Sequence, residues 1–325
     1  MQPLYLSELD VRELLDMETA LEVVEQAFRE LAHGRAQNIP RSRAQAPGII
    51  LHTMSASAEY LGLVGWKAYT TTPQGARFQV ALYAVETGNL VALIDADYLG
   101  QLRTGAASGV ATEFMARPDA KLVGLFGAGK QARTQLKAVC TVRNIERVEV
   151  YSRNEDRCRV FVEEMSQYCD TKVVPVRIPD AVAAEKDIVI CATTSRTPLF
   201  DGRVLDEGTH LNVVGSNYLN KAEVDVATIR RADAIICDSV EQCRLEAGDF
   251  VQALEEGVVD WSLLRELSAV VAGQETGRPN GESITLFKSV GLAIEDVALA
   301  GRLWTLARET GLGQPLSLNA DRLPF

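Results

Sequence analysis

Four cationic side chains could together handle a carboxylate and a proton. Lys67 lies in an apolar, β-rich run, 61–69; Arg41 and Arg43 alternate onto one face if extended; Arg103 sits in the small-residue stretch RTGAASG. A lysine on a half-buried strand ordinarily points to water, but two arginines and a lysine are what holds an α-carboxylate beside a reacting amino or carbonyl group. A second cluster is Gly127-Ala128-Gly129-Lys130-Gln131-Ala132, which follows the apolar run 121–126 and opens a helical segment ending near residue 142. In such a turn the first glycine permits a tight bend and the second lets a pyrophosphate touch backbone N–H groups. The third small residue allows close helix–strand packing. The strand–turn–helix context favours a dinucleotide site over an ordinary βα turn, with Gly127, Gly129, Lys130 and Gln131 at the cofactor.

Cofactor type is read after the next strand, RVEVY, where an NAD enzyme usually places an acidic residue on the ribose hydroxyls. Here Ser152 and Arg153 follow Tyr151. Ser152 can donate a hydrogen bond and Arg153 can stack on adenine or pair with a 2′-phosphate, so NADP(H) is expected ahead of NAD(H). Glu155 and Asp156, close behind, keep NAD(H) as the alternative.

The rest of the chain must supply the elements that position these residues. Its 325 residues, 47% of them hydrophobic, are enough for two domains with proper cores. Leu21, Val24, Phe28 and Leu31, followed by Gly34, predict an amphipathic helix over 18–32. Short β-rich runs from 49 to 95 predict an antiparallel meander, and a helix follows over 96–116 whose small residues let another backbone or a ligand come close. After 117, strand and helix alternate through KLVGLF, VEVY, VVPV, DIVICAT, HLNVVG and DAIICD. That rhythm gives an α/β fold class. A Rossmann-type doubly wound parallel sheet is expected over 118–302, beside an α+β domain over 1–117 completed by 303–325. A long helix over 291–310 is expected to return the chain to the first domain.

Lys plus Arg number 33 against 44 Asp plus Glu, a net charge of −11 without a basic block, which disfavours nucleic acid and membrane surfaces as partners. No apolar run is long enough to span a bilayer and the start lacks a signal-peptide pattern, so a cytoplasmic protein is expected. The six cysteines are scattered without a CxxC pair, and His33, His52 and His210 lie far apart. Free thiols and no metal site are the expectation.

In this order, GWKAYTTTP around Lys67, LIDADYLGQLRTGAASGVAT around Arg103, VGLFGAGKQA, ATTSRTPL, VGSNYLNKAEVD and TLFKSVGLAIEDVALA resemble the ornithine cyclodeaminase/mu-crystallin family, which includes alanine dehydrogenases and ketimine reductases. The resemblance covers nearly the whole chain and implies a homodimer with an inserted nucleotide domain. It implies that Arg43 and Arg103 clamp the substrate carboxylate, with Arg41 the competing alignment for Arg43. By the same resemblance Lys67 is the catalytic lysine and Thr104 contacts the pyrophosphate. Thr193, Ser195, Val214 and Ser216 fall near the nicotinamide and Lys288 close to the cofactor rim, while Met54, Gln79 and Tyr83 are candidate pocket walls.

Cyclodeaminases of this family carry an aspartate in a GGDxPGKTE-like segment where this chain has Asn217. An amide cannot take up a proton as a carboxylate does, which speaks against cyclisation of a diamino acid, although it can orient a water or the substrate nitrogen. The expected activity is NAD(P)H-dependent reduction of a small 2-imino acid, or the reverse oxidation of a 2-amino acid as in an alanine-type dehydrogenase. A 2-oxo acid and an amine are the further small-molecule partners. Lys67, its pKa lowered by the neighbouring positive charges, is the expected acid/base. Two other readings are an ornithine or lysine cyclodeaminase with bound NAD and a cofactor-dependent ligand-binding protein like mu-crystallin.

Overall fold

Asp16 accepts the Thr19 N–H and so starts helix α2 (Met17–Ala32), which follows strand β1 (Leu4–Leu6) and helix α1 (Glu8–Leu14) in the computed structural model. The structure describes residues 2–317; of the segment expected to complete the first domain, 318–325 lies outside the described residues. Strands β2 (Ala36–Ala46), β3 (Ile49–Ala58), β4 (Leu63–Thr72), β5 (Gly75–Ala84) and β6 (Leu90–Asp95) form an antiparallel meander. β1 pairs parallel with β6, and a two-residue strand, Gln314–Pro315, pairs with β1 at the sheet edge. In β2 the register slips between Ile39 and Ser42. Asn38 and Arg41 therefore face the same side, which strict alternation over three residues would forbid.

Helix α3 (Asp97–Met115) is buried along most of its length, and its small residues serve the approach of another helix. A Cβ on Gly105 would stand 2.4 Å from the Thr134 carbonyl oxygen of helix α4 (Lys130–Val142), and the Gln135 amide donates to the Thr104 carbonyl at 2.8 Å. Gly105→Val should therefore wedge the two helices apart and cost about 3 kcal/mol of stability, read as a lower urea midpoint with an unchanged slope.

The second sheet holds β7 (Leu122–Phe126), β8 (Arg147–Tyr151), β9 (Lys172–Pro175), β10 (Ile188–Cys191), β11 (His210–Val213), β12 (Ala234–Cys237), β13 (Arg265–Glu266) and β14 (Thr285–Lys288). All its pairs are parallel, in the order β13-β12-β14-β11-β10-β7-β8-β9. Helices α4, α5 (Glu155–Tyr168), α6 (Pro179–Ala183), α7 (Val226–Arg231), α8 (Val240–Glu246), α9 (Val251–Glu255) and α10 (Leu267–Val271) connect these strands. The strand order reverses between β7 and β10, and such a switch point opens a crevice at the carboxyl ends of the strands.

Gly291, at φ +82°, turns the chain out of β14 towards helix α11 (Ala293–Thr310). The Asn38 side chain accepts the first two N–H groups of that helix, from Ala293 at 2.8 Å and Ile294 at 3.3 Å. α11 packs against β2, β3, β4 and β5, so the chain returns to the first sheet at Ala293 and not at residue 303. The reason is that the apolar face of the whole helix, from Ile294 to Leu303, is buried there.

Candidate active site

The switch-point crevice faces the inner side of β3, β4 and β5, and the cavity between them measures about 260 Å3. Lys67 projects into it from β4. Strand alternation puts Tyr69 on the same face, and pairing sets His52 of β3 and Phe78 of β5 on either side of Tyr69. The three rings stack, His52 on Tyr69 at 4.2 Å between centroids and Tyr69 on Phe78 at 4.9 Å, and make a flat wall. Burial, then Arg43 and Arg41, push the pKa of His52 down to about 4, so its ring is neutral near pH 7. It lies 3.1 Å from the Thr71 hydroxyl.

Lys67 is only 2% exposed and donates to Asp296 Oδ1 at 2.7 Å. Arg103 Nε reaches the same oxygen at 3.2 Å, and its Nη1 binds Glu295 at 2.7 Å. Both carboxylates come from the first turn of α11. Burial is the main cause that brings the Lys67 pKa down to about 8; Arg103 adds to it and Asp296 opposes it. Neighbouring charge, the cause expected from the sequence, is thus the smaller one. Burial also pulls at Arg103, but Asp296 and Glu295 outweigh it and hold the guanidinium firmly charged. Glu295 is lifted by burial to about 7. Gly100 makes room for this cluster, since a Cβ there would stand 3.3 Å from Lys67 Nζ.

The two arginines of β2 separate. Arg41 lines the cavity, pairs with Glu246 of α8 and donates to the Val290 carbonyl at 3.0 Å. Arg43 is drawn aside: it reaches Glu246 at 2.6 Å and the Asn217 carbonyl at 3.0 Å, and lies over the Tyr218 ring at 4.7 Å. Arg41 therefore lines the cavity itself, while Arg43 stands at its edge against Asn217 and Tyr218. Arg41, Lys67 and Arg103 line the cavity, whereas Glu246, Glu295 and Asp296 stand behind them, so positive charge faces an anionic substrate.

Three expected walls lie elsewhere. Met54, opposite Lys67 on β3, belongs to the apolar core, because alternation gives it the correct face but a deeper place under α11. Gln79 lines a separate recess, and Tyr83 accepts the Trp66 indole N–H at 3.3 Å.

The cofactor half is built from the turns after β7, β10 and β11. At Gly127, φ is +114° and a Cβ would stand 2.5 Å from the Ala192 carbonyl oxygen, so the first two turns press together. Gly129 caps α4 with open space where a Cβ would be, which leaves the helix N–H groups facing the crevice. That cradle fits a pyrophosphate. Thr104 and Gln131 line the cavity, the Thr104 hydroxyl donating to the Gly100 carbonyl at 2.7 Å. The Lys130 side chain is exposed and turned to Asp97 at 2.5 Å, so its ammonium is drawn to that carboxylate.

At the end of β8, Ser152 Oγ accepts the Asn154 N–H at 3.4 Å, and Arg153 is exposed beside a recess it shares with Arg177. Glu155 and Asp156 have partners, Arg177 at 3.6 Å and Arg159 at 3.3 Å. Val214, Gly215 and Asn217 line the far side of the cavity. Thr193 gives its N–H and hydroxyl to Glu223, Ser195 donates to the Thr197 carbonyl at 2.7 Å away from the lining, and Ser216 is almost wholly buried. Lys288 does not reach the rim: it ends a central strand, fully buried, and pairs with Asp249 at 2.7 Å.

The family model for the ornithine cyclodeaminase/mu-crystallin family matches residues 1–310. A Delta(1)-pyrroline-2-carboxylate reductase of Bacillus cereus is 31% identical, the match covering 96% of this chain and 99% of that protein. Among solved structures, that of the Thermococcus litoralis Delta(1)-pyrroline-2-carboxylate reductase with NADH and L-proline superposes with a TM-score of 0.92 at 37% identity, over 96% of this chain and all of that one. An archaeal alanine dehydrogenase dimer with bound NAD gives 0.92 at 31% identity, over 98% of this chain and all of the other. With the glycine cradle, the buried lysine and the arginines at the matching motifs, the chain belongs to the ornithine cyclodeaminase/mu-crystallin family.

Proposed function

We propose that this NAD(P)-dependent oxidoreductase of the CH–NH group reduces a cyclic 2-imino acid, with Δ1-pyrroline-2-carboxylate as the simplest candidate. The observation that carries the reading is the buried Lys67, tied to Asp296 and Arg103, beside a flat ring wall and across from the dinucleotide cradle. Arg41 and Arg103 Nη2, which has no hydrogen-bond partner among the described residues, take the carboxylate. The His52–Tyr69–Phe78 stack takes the planar ring. A reduced nicotinamide, bound in the crevice, supplies hydride to the imine carbon. Lys67 delivers a proton to the nitrogen, and in the reverse direction its neutral amine accepts that proton. An amide at Asn217, in place of a carboxylate, supports reduction over cyclodeamination. The name of the Bacillus cereus relative supports the same substrate class.

Initial rates of NADPH and NADH oxidation test this with Δ1-pyrroline-2-carboxylate, Δ1-piperideine-2-carboxylate, and pyruvate plus ammonia. The cyclic imines should turn over fastest, and silence on all three would overturn the reading. NADPH is the proposed preferred cofactor, because Arg153, exposed at the end of β8, has no ion-pair partner among the described residues while both nearby carboxylates are paired. Arg153→Ala should raise the KM for NADPH about tenfold, the loss of one charged hydrogen bond, with little change for NADH.

A homodimer is proposed from the exposed apolar side chains Ile39, Ile49, Leu51 and Val64 on β2, β3 and β4, and from the dimeric archaeal relative. No helix among the described residues is long and apolar enough to cross a membrane. We place the enzyme in the cytoplasm, a setting that suits its six free cysteines.

A further inference from the structure

Behind the loops that close the crevice lies a buried chain of charges that the roles above leave unused. Glu223, fully buried, stretches between two loops. Its Oε1 accepts the N–H and the hydroxyl of Thr193, after β10, at 2.7 Å each, and its Oε2 accepts the Gly215 N–H, after β11, at 2.6 Å. Glu223 is held in turn from below. Its own N–H donates to Asp249 Oδ1 at 2.6 Å, Asp249 Oδ2 pairs with Lys288 Nζ at 2.7 Å, and Lys288 donates to the Ser216 carbonyl at 2.9 Å. The chain of contacts therefore leaves the 215–216 loop through one backbone group and returns to it through another. Position 215 has to be glycine for this, since a Cβ would stand 2.4 Å from Glu223 Oε1 and 2.3 Å from the Thr193 carbonyl oxygen.

A carboxylate buried this deeply is costly unless its oxygens are filled, and here both are filled by the two loops. We propose that Glu223 is a positioning residue for hydride transfer: it fixes the loops after β10 and β11 at the spacing that receives the nicotinamide, and Asp249 and Lys288 fix Glu223. This rests on the reading that those loops flank the nicotinamide. Lys288 then acts from behind the loop, which accounts for a lysine that is wholly buried at the end of a central strand.

Glu223→Gln is the discriminating variant. The amide keeps the size of the carboxylate but offers one acceptor oxygen, so its NH2 must oppose either the Gly215 N–H or the Thr193 N–H. Steady-state kinetics should show the KM for the reduced cofactor raised about tenfold and kcat lowered about tenfold. The KM for the imino acid should stay within about twofold, because Arg41 and Arg103 are held by other elements. A merely structural role would lower the melting temperature and leave these constants of the folded enzyme unchanged. Glu223→Asp, which keeps the charge but shortens the reach, should show the same split more mildly, and is read instead if the glutamine variant does not fold. Unchanged cofactor KM and kcat in a folded variant overturn the inference while the proposed function stands. Failure of the wild-type enzyme to bind either NADH or NADPH, followed by fluorescence titration, overturns the function itself.

Discussion

Lys67→Met should lower kcat for imine reduction about a thousandfold, within the range that a positioned acid/base group contributes. The same variant should bind reduced cofactor within about twofold of wild type, because Lys67 stands on β4, across the cavity from the glycine cradle. Methionine keeps most of the bulk of the side chain, so the packing between Tyr69 and α11 survives the change. Asp296 retains Arg103 at 3.2 Å and is not left without a cation. A kcat within about threefold of wild type would remove Lys67 from the chemistry.

Arg103→Leu should be the most damaging single change at the site, for two separable reasons. It deletes one arm of the carboxylate clamp, and it leaves Glu295 buried without its cation, while Asp296 Oδ1 keeps only Lys67. Breaking a buried pair from one side costs about 3–5 kcal/mol, which urea unfolding would read directly. In the fraction that folds, kcat/KM should fall about a thousandfold. Arg103→Lys separates the two effects. The charge restores much of the stability, but a single ammonium cannot hold Glu295, Asp296 and a substrate carboxylate at once, so the KM for the imino acid should stay at least tenfold raised. A lysine variant with the wild-type KM would contradict the clamp.

The local patterns were legible in the sequence and the long-range pairings were not. The glycine turn is a strand, a bend and a helix in one unbroken stretch, Leu122 to Val142, each announced by its own composition, with Gly127 and Gly129 in the bend. Lys67 and Arg103 were singled out by type and setting. Their carboxylate partners are not legible, because Asp296 is 229 residues from Lys67 and Glu295 is 192 from Arg103. At the start of α11, Glu295 and Asp296 also read as ordinary acids favoured by a helix N-terminus. Only their place inside a segment whose other residues are apolar hints at burial. Arg41 and Arg43 cannot be ranked, since alternation treats them as equivalent, and Pro40 in NIPRSR marks an irregularity in the strand without saying which arginine lies deeper. Met54 shows the other limit: period two assigns a face, but depth along that face depends on what packs above it. Lys288 was misplaced for the same reason, its burial being decided by the loop after β11.

The most direct test of the central claim is the pH dependence of kcat for imine reduction, measured from pH 6 to 10 in the wild type and in Asp296→Asn. Lys67 must be protonated to act as the acid, and burial sets its pKa at about 8 against the opposing pull of Asp296. The reductive rate should therefore be level below about pH 8 and fall about tenfold per unit above it. Because Asp296 raises that pKa, its removal should move the break to lower pH. A break at the same pH in both proteins, or none at all in the wild type, would contradict Lys67 as the proton donor.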